Sequence, residues 1–436
     1  MTVRLQPRSA LCAVVVLVVF LLYGGAGWTQ TVGPIADVPS ETGVTRIFSS
    51  AGPINLPHPF AQDFGTNGRM CVVCHMPTDG MSVTPANLRA RFDATNGFDP
   101  IFRTNDGSNS PNADVSTLAA RRSAYSMLLS RGVIRIELAP PAGAEFIVQA
   151  VEDPYGYANP TRLSLFRRPL PVTNLAFITS VMWDGRETTV GGVRFDLLRQ
   201  ANDATLGHAE AAHSLTAAEQ GTIVDLEETL FLAQVSDANA GGLSADGGTG
   251  GPEALSTQPF FPGINFGANG SPIVFSLYQA WAGLPPSSDA VTQARRAIGS
   301  GEVLFNTRDL GGSGLKCGSC HNTPNIGNQS VGAFFDTGVA SVARRTPDLP
   351  LYTLFCPSTQ RVVRTTDPGR ALVTGRCEDI QTFKVPTLRG VSARAPFFHD
   401  GSAATLHDVI LFYDTLFGAG LQPSEVDALV AFLRAL

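Results

Sequence analysis

Apolar positions recur with helical spacing in a few well-separated stretches of this chain. Ser116 to Arg131, Leu215 to Gln234, Val291 to Phe305 and Ser424 to Leu436 each predict a helix. In the second, Ile223, Leu226 and Leu230 share a face, and Thr216 with Glu219 predicts a capping box at its start. In the last, Val426, Leu429, Val430 and Leu433 form the apolar stripe, with Ser424 and Asp427 expected to cap it. Leu406, Val409, Ile410, Tyr413 and Phe417 fall on one face of a further helix. Strand patterns are scarce; Val133 to Leu138 and Glu145 to Val151 are the short candidates. Residues 31–70 read as an extended approach, 76–170 as helical runs broken by Asn-Gly, Asp-Gly and Pro turns, and Gly241 to Gly251 as a glycine-rich loop outside the core.

One apolar run is not amphipathic. Leu11 to Tyr23 carries no charge, follows Arg4 and Arg8, and precedes the small residues Gly24-Gly25-Ala26-Gly27. That is the pattern of a secretory signal over residues 1–30. The run falls short of the roughly 20 apolar residues a span requires. A mature periplasmic chain with no stable membrane span is expected, an uncleaved anchor being the alternative. About 400 residues then remain, room for two or three domains at ~150 each.

Composition narrows the partners. Only 16% of residues are charged, while the chain holds 44 Gly and 30 Pro, which fits many ordered connections. Net charge is −6, and loss of Arg4 and Arg8 makes it −8. No basic run or stripe is present, so nucleic acid is not an expected partner. A mildly acidic surface suits a small cationic redox protein.

The seven cysteines separate by position. Cys12 lies in the signal, and Cys71, Cys74, Cys317 and Cys320 lie in two C-x-x-C motifs. Cys356 and Cys377 are left over, and in an oxidising compartment such a pair reads most simply as a disulfide. Both C-x-x-C pairs are followed directly by histidine, His75 and His321. Two thiols at that spacing can form thioethers to one haem, and the next residue offers an imidazole to the iron. A thioredoxin-like site or a shared zinc needs no histidine directly after both motifs. Two covalently bound c-type haems are therefore expected. The fold class is mainly α, with two cytochrome c-like haem domains and long irregular loops. An N-terminal domain spans 31–288 and a C-terminal one 289–436, each repeating lead helix, motif, loops and closing helix.

The second iron ligands set the chemistry. The methionines are Met1, Met70, Met76, Met81, Met127 and Met182, and none follows the second motif. The C-terminal haem thus has no methionine ligand from its own domain; His399, His407, Tyr413 or an open position remain.

The segments Phe383-Lys384-Val385-Pro386-Thr387-Leu388-Arg389 and Ala395-Pro396-Phe397-Phe398-His399-Asp400-Gly401 resemble the bacterial di-haem cytochrome c peroxidase and MauG superfamily. Asn174-Leu175-Ala176-Phe177 and Met182-Trp183-Asp184-Gly185-Arg186 match its inter-haem tryptophan motif. The resemblance spans most of the mature chain. It implies a peroxide-reactive N-terminal haem, an electron-transfer C-terminal haem and Trp183 between them. It carries the C-terminal sixth ligand, methionine in ordinary peroxidases and tyrosine in MauG, onto Tyr413, and gives His399 a place at the haem edge. Arg186 is a candidate partner for a haem propionate or for Asp184. Matching Gln200-Ala201 to the family's Gln-Ala carries its distal acid onto Glu210, with His208 as a second general acid/base candidate. The family's calcium ligands fall on Arg168 and Arg394, so calcium is expected to be absent or displaced. The long stretch from His75 to Trp183 implies a lid or partner surface over the first haem.

The leading expectation is an enzyme, a di-haem peroxidase or MauG-like oxidase acting on hydrogen peroxide. A small redox protein is its expected electron donor or protein substrate. A di-haem electron-transfer cytochrome and an oxygenase for an apolar substrate are the competing readings.

Overall fold

A computed structural model describes residues 35–52, 54, 57–263 and 272–436; the expected signal over 1–30, with Cys12, lies outside the described residues. Among the described residues thirteen α-helices are accompanied by eleven short strands, far more strand than the alternation pattern predicts. The excess has a physical origin. Leu230 to Ala233 continues the helical pattern of the preceding residues but is a contiguous apolar run, buried throughout. Such a run suits a strand covered on both faces. The helix accordingly stops at Thr229, and Leu230–Asp237 pairs antiparallel with Gly43–Ser49, placing Leu232 opposite Ile47. The hairpin partner Ile35–Ser40 lies on the outer side, so strands stand where a lead helix was expected before the first motif.

The two strand candidates are present but not paired with each other. Ile134–Leu138 pairs with Leu163–Arg167, and Ile147–Glu152 pairs with Leu351–Cys356, which also pairs with Arg361–Thr365. Their shared core holds Phe146, Leu163, Leu165, Tyr352 and Leu354, and the Tyr352 hydroxyl donates to the Ser164 carbonyl at 2.6 Å. Cys356 and Cys377 are joined by a disulfide at the edge of this core.

Helix boundaries follow their caps. Thr216 and Glu219 form the expected capping box before Ala217–Thr229. The last helix, Pro423–Arg434, is capped by Gln422 with Glu425, because Pro423 favours the first helical position; Ser424 therefore lies inside it. The run at 116–131 breaks at Tyr125, whose hydroxyl donates to the Phe102 carbonyl, giving Leu118–Ala124 and Ser126–Arg131.

The C-terminal core forms where Ala290–Thr307 crosses Pro423–Arg434. Gly301 permits that approach, since a Cβ there would run into the Ala428 carbonyl. Phe275 meets Phe305 and Phe432 edge to face beside the crossing, and those two rings are tilted against each other. Leu243 of the glycine-rich loop, with Ala240 just before it, is fully buried in the same core with Tyr278 and Trp281. The loop is thus part of the core, because its glycines let the backbone lie flat on Tyr278 and Trp281.

Candidate functional site

Each C-x-x-C-H motif folds as a single helical turn, Cys71–Cys74 and Cys317–Cys320, with its histidine closing the turn through a backbone hydrogen bond. This turn presents both thiols and the imidazole to one space. The first set opens into a cavity of about 180 Å³ and the second into one of about 240 Å³. The two pairs of cysteines therefore face separate cavities and do not surround a common ion. Burial pushes the Cys71 and Cys317 thiols up to about 12, the opposite of an activated redox thiolate.

Both histidines are prepared as neutral ligands. His75 shares its Nδ1 hydrogen with the Met81 carbonyl at 3.1 Å, and His321 does the same with the Gly327 carbonyl. Burial lowers both imidazoles to about 4, so each is uncharged at neutral pH. A hydrogen bond at Nδ1 fixes the tautomer and leaves Nε2 for a metal.

In the N-terminal cavity the helix Val193–Gly207 supplies one wall through Leu197, Gln200, Ala201, Ala204 and Thr205, followed by His208. That spacing is one helical face. Ile223 and Glu227, one turn apart on Ala217–Thr229, supply another. Glu227 is 3% exposed, and its Oε2 has no hydrogen-bond partner among the described residues. Burial, with a smaller push from Glu228, raises this acid to about 8. His208 lines the cavity with Nδ1 bonded to Asp106, whose other oxygen takes Arg69. Desolvation works against the Asp106 charge, but His208 and Arg69 outweigh it and hold the carboxyl below its usual range. Glu210 is exposed, stands outside the cavity lining and accepts from Asn67 at 3.0 Å.

Asp106 and Ile134 bring the long stretch after His75 into this wall. Arg69 also donates to the carbonyls of Pro100 and Ile101, fixing that stretch against the motif. Glu227 and Asp106 are polar groups of the cavity that sequence reasoning missed. Glu227 had a signal, an acid one turn after Ile223 on an apolar face; Asp106 had none.

The C-terminal cavity has a comparable wall. Leu406, Val409, Ile410, Tyr413, Asp414 and Phe417 line it from Leu406–Phe417, whose start is fixed by a Thr405–Asp408 capping box. Tyr413 and His321 thus face one cavity, and burial pushes the phenol up to about 12. His407 is exposed on the other side of the helix. His399 is 2% exposed, lies 4.2 Å from the Phe383 ring and lines the cavity, with Nδ1 unpartnered among the described residues.

Trp183 lines the C-terminal cavity, while its neighbour Met182 lines the N-terminal one. The Trp183 indole donates to the Arg168 carbonyl at 2.8 Å and stands edge-on to His399. Asp184 is fully buried between Arg167 and Arg186, and Arg167 also binds Asp367. Arg186 lies outside both cavity linings and is paired with Asp184. Arg168 donates to the carbonyls of Val83, Arg131 and Arg394, and Arg394 to those of Thr387 and Arg389. Guanidinium groups thereby engage the carbonyl oxygens at the positions considered for calcium.

These donor sets fit a c-type haem in each cavity: two unpaired thiols, a neutral imidazole, and buried polar atoms left open at Glu227 and His399. Among the described residues no helix is long and apolar enough to cross a membrane.

No family model matches the chain. Among curated proteins, the cytochrome c551 peroxidase of Pseudomonas aeruginosa is 32% identical over 121 residues, covering 28% of this chain and 30% of that one. The cytochrome c551 peroxidase of Nitrosomonas europaea is 33% identical over 129 residues, covering 28% and 31%. The chain thus matches under a third of the length of these relatives. A crystal structure of a MauG-like protein associated with microbial copper homeostasis aligns over 63% of this chain and 74% of that one. Its identity is 17% and its TM-score 0.38, too slight a likeness to weigh. These partial matches to cytochrome c551 peroxidases agree with the resemblance to the bacterial cytochrome c peroxidases.

Proposed function

We propose that the protein is a periplasmic di-haem c-type peroxidase or MauG-like oxidase. Hydrogen peroxide is handled at the N-terminal cavity, and electrons pass by way of Trp183 and the C-terminal cavity. One observation carries this reading. Each cavity gathers the complete thiol and imidazole set of one motif, and both are lined by Pro169, Leu170, Pro171, Lys384, Pro386 and Thr387. A haem bound in each would supply an iron centre for peroxide reduction and for holding oxidising equivalents.

The chain's own residues then divide the work. Cys71, Cys74 and His75 hold the first haem, and Cys317, Cys320 and His321 the second. Reducing peroxide to water consumes protons as well as electrons. Glu227 carries a proton up to about pH 8 on a carboxyl facing the N-terminal cavity. His208, oriented by Asp106, offers a second proton site there. Tyr413 would offer its phenol oxygen to a haem held in the C-terminal cavity, and an oxygen donor there would favour the oxidised states of the iron. Trp183, next to Met182, connects the two cavity walls.

Mass spectrometry of the purified protein is expected to show the mature chain plus two haems, and the oxidised protein should consume peroxide with a reduced cytochrome as donor. Two haems that leave peroxide untouched would reduce the protein to an electron-transfer cytochrome.

A further inference from the structure

Of the six residues common to both cavity walls, Lys384 is the charged one. Its backbone N–H donates to the Trp183 carbonyl at 2.9 Å, which fixes it beside the residue that joins the walls. Its ammonium donates to the Ser180 carbonyl at 2.7 Å, and no carboxylate among the described residues forms an ion pair with it. An ammonium has three N–H donors, so one carbonyl leaves most of its capacity open. The side chain is half-buried, and its remaining exposure faces the cavities. Filling both cavities removes that exposure. A fully buried ammonium without a counter-charge is strongly destabilising, so the groups that fill the cavities must bring the anion. Haem does: it carries two carboxylates.

We propose that the Lys384 ammonium is an anion-binding point shared by both cavities, donating to a cofactor carboxylate on each side and electrostatically coupling the two irons. The inference rests on the di-haem reading given above. Asp184, one residue after Trp183, and Asp367 are both engaged by Arg167. They are not available to neutralise it. One cation between two redox centres favours the reduced, less positive form of both.

The test is spectroelectrochemical titration of the full mature protein and its Lys384→Gln and Lys384→Arg variants, with haem counted first by mass. Fewer than two haems in the wild type would overturn the di-haem reading, and this proposal with it. With two haems present, Lys384→Gln is expected to lower both midpoint potentials, while Lys384→Arg leaves both near wild type. A shift confined to one haem, or no shift, overturns the sharing. Should Lys384→Gln fail to assemble two haems, Lys384→Arg decides: assembly with guanidinium supports an anion-holding role, and its failure as well would overturn it.

Discussion

Helix Val193–Gly207 lines the N-terminal cavity with Leu197, Gln200 and Ala204, and helix Leu406–Phe417 lines the C-terminal one with Leu406, Ile410 and Tyr413. Seven residues after Leu197 stands a methyl group, Ala204; seven after Leu406 stands a phenol, Tyr413. Around the methyl group the first cavity gathers Glu227, His208, Asp106 and Arg69. Around the phenol the second is ringed by Phe397, Phe398 and Phe417. Similar scaffolds thus hold one space faced by a buried acid and another faced by a buried phenol. On the proposed di-haem reading, each motif would set where a haem hangs, and the side chains facing it would set what its iron does.

The largest test of that contrast is Glu227→Gln. Loss of the proton carrier is expected to lower peroxide turnover by about 100-fold or more, with both haems retained by mass. The same residue leaves a stability signature. Its folded pKa, about 8, lies above the unfolded value of roughly 4.3. Its contribution is fully present below pH ~4.3 and is lost as pH rises through about 8. Glu227→Gln should flatten the stability–pH curve across that window, measured by urea unfolding.

The region away from both cavities provides a contrast of another kind. Replacing Cys356 and Cys377 with serine opens a loop with a sequence separation of 21 and is expected to cost about 3 kcal/mol of stability. Neither residue lines a cavity, so both haem spectra should stay unchanged. A smaller effect sharpens the picture of the first cavity. Asp106→Asn weakens the hold on His208 Nδ1 and is expected to lower peroxide turnover about tenfold, roughly 1.4 kcal/mol. The spectrum of the second haem is the internal control.

Much of this site was legible in the chain because it is local. The two motifs, the Thr216 capping box and the inward face carrying Tyr413 each depend on residues within a turn or two. The disulfide followed from counting. Asp106 was illegible because its partners, Arg69 and His208, stand 37 and 102 residues away. Glu227 was legible on a helical wheel, but the match at Gln200-Ala201 pointed to Glu210, which is exposed. The remaining strands went unseen for the same reason as Asp106: Leu351–Cys356 is a strand because Ile147–Glu152 and Arg361–Thr365 arrive on either side of it. Nothing in its own alternation demands that.

On the proposed reading, the N-terminal iron is open to peroxide and the C-terminal one is bound by Tyr413. Low-temperature EPR of the oxidised protein, before and after one equivalent of hydrogen peroxide, tests it most directly. A high-spin ferric signal beside a low-spin one is expected, with the high-spin signal lost on adding peroxide. Two low-spin signals unmoved by peroxide would contradict it.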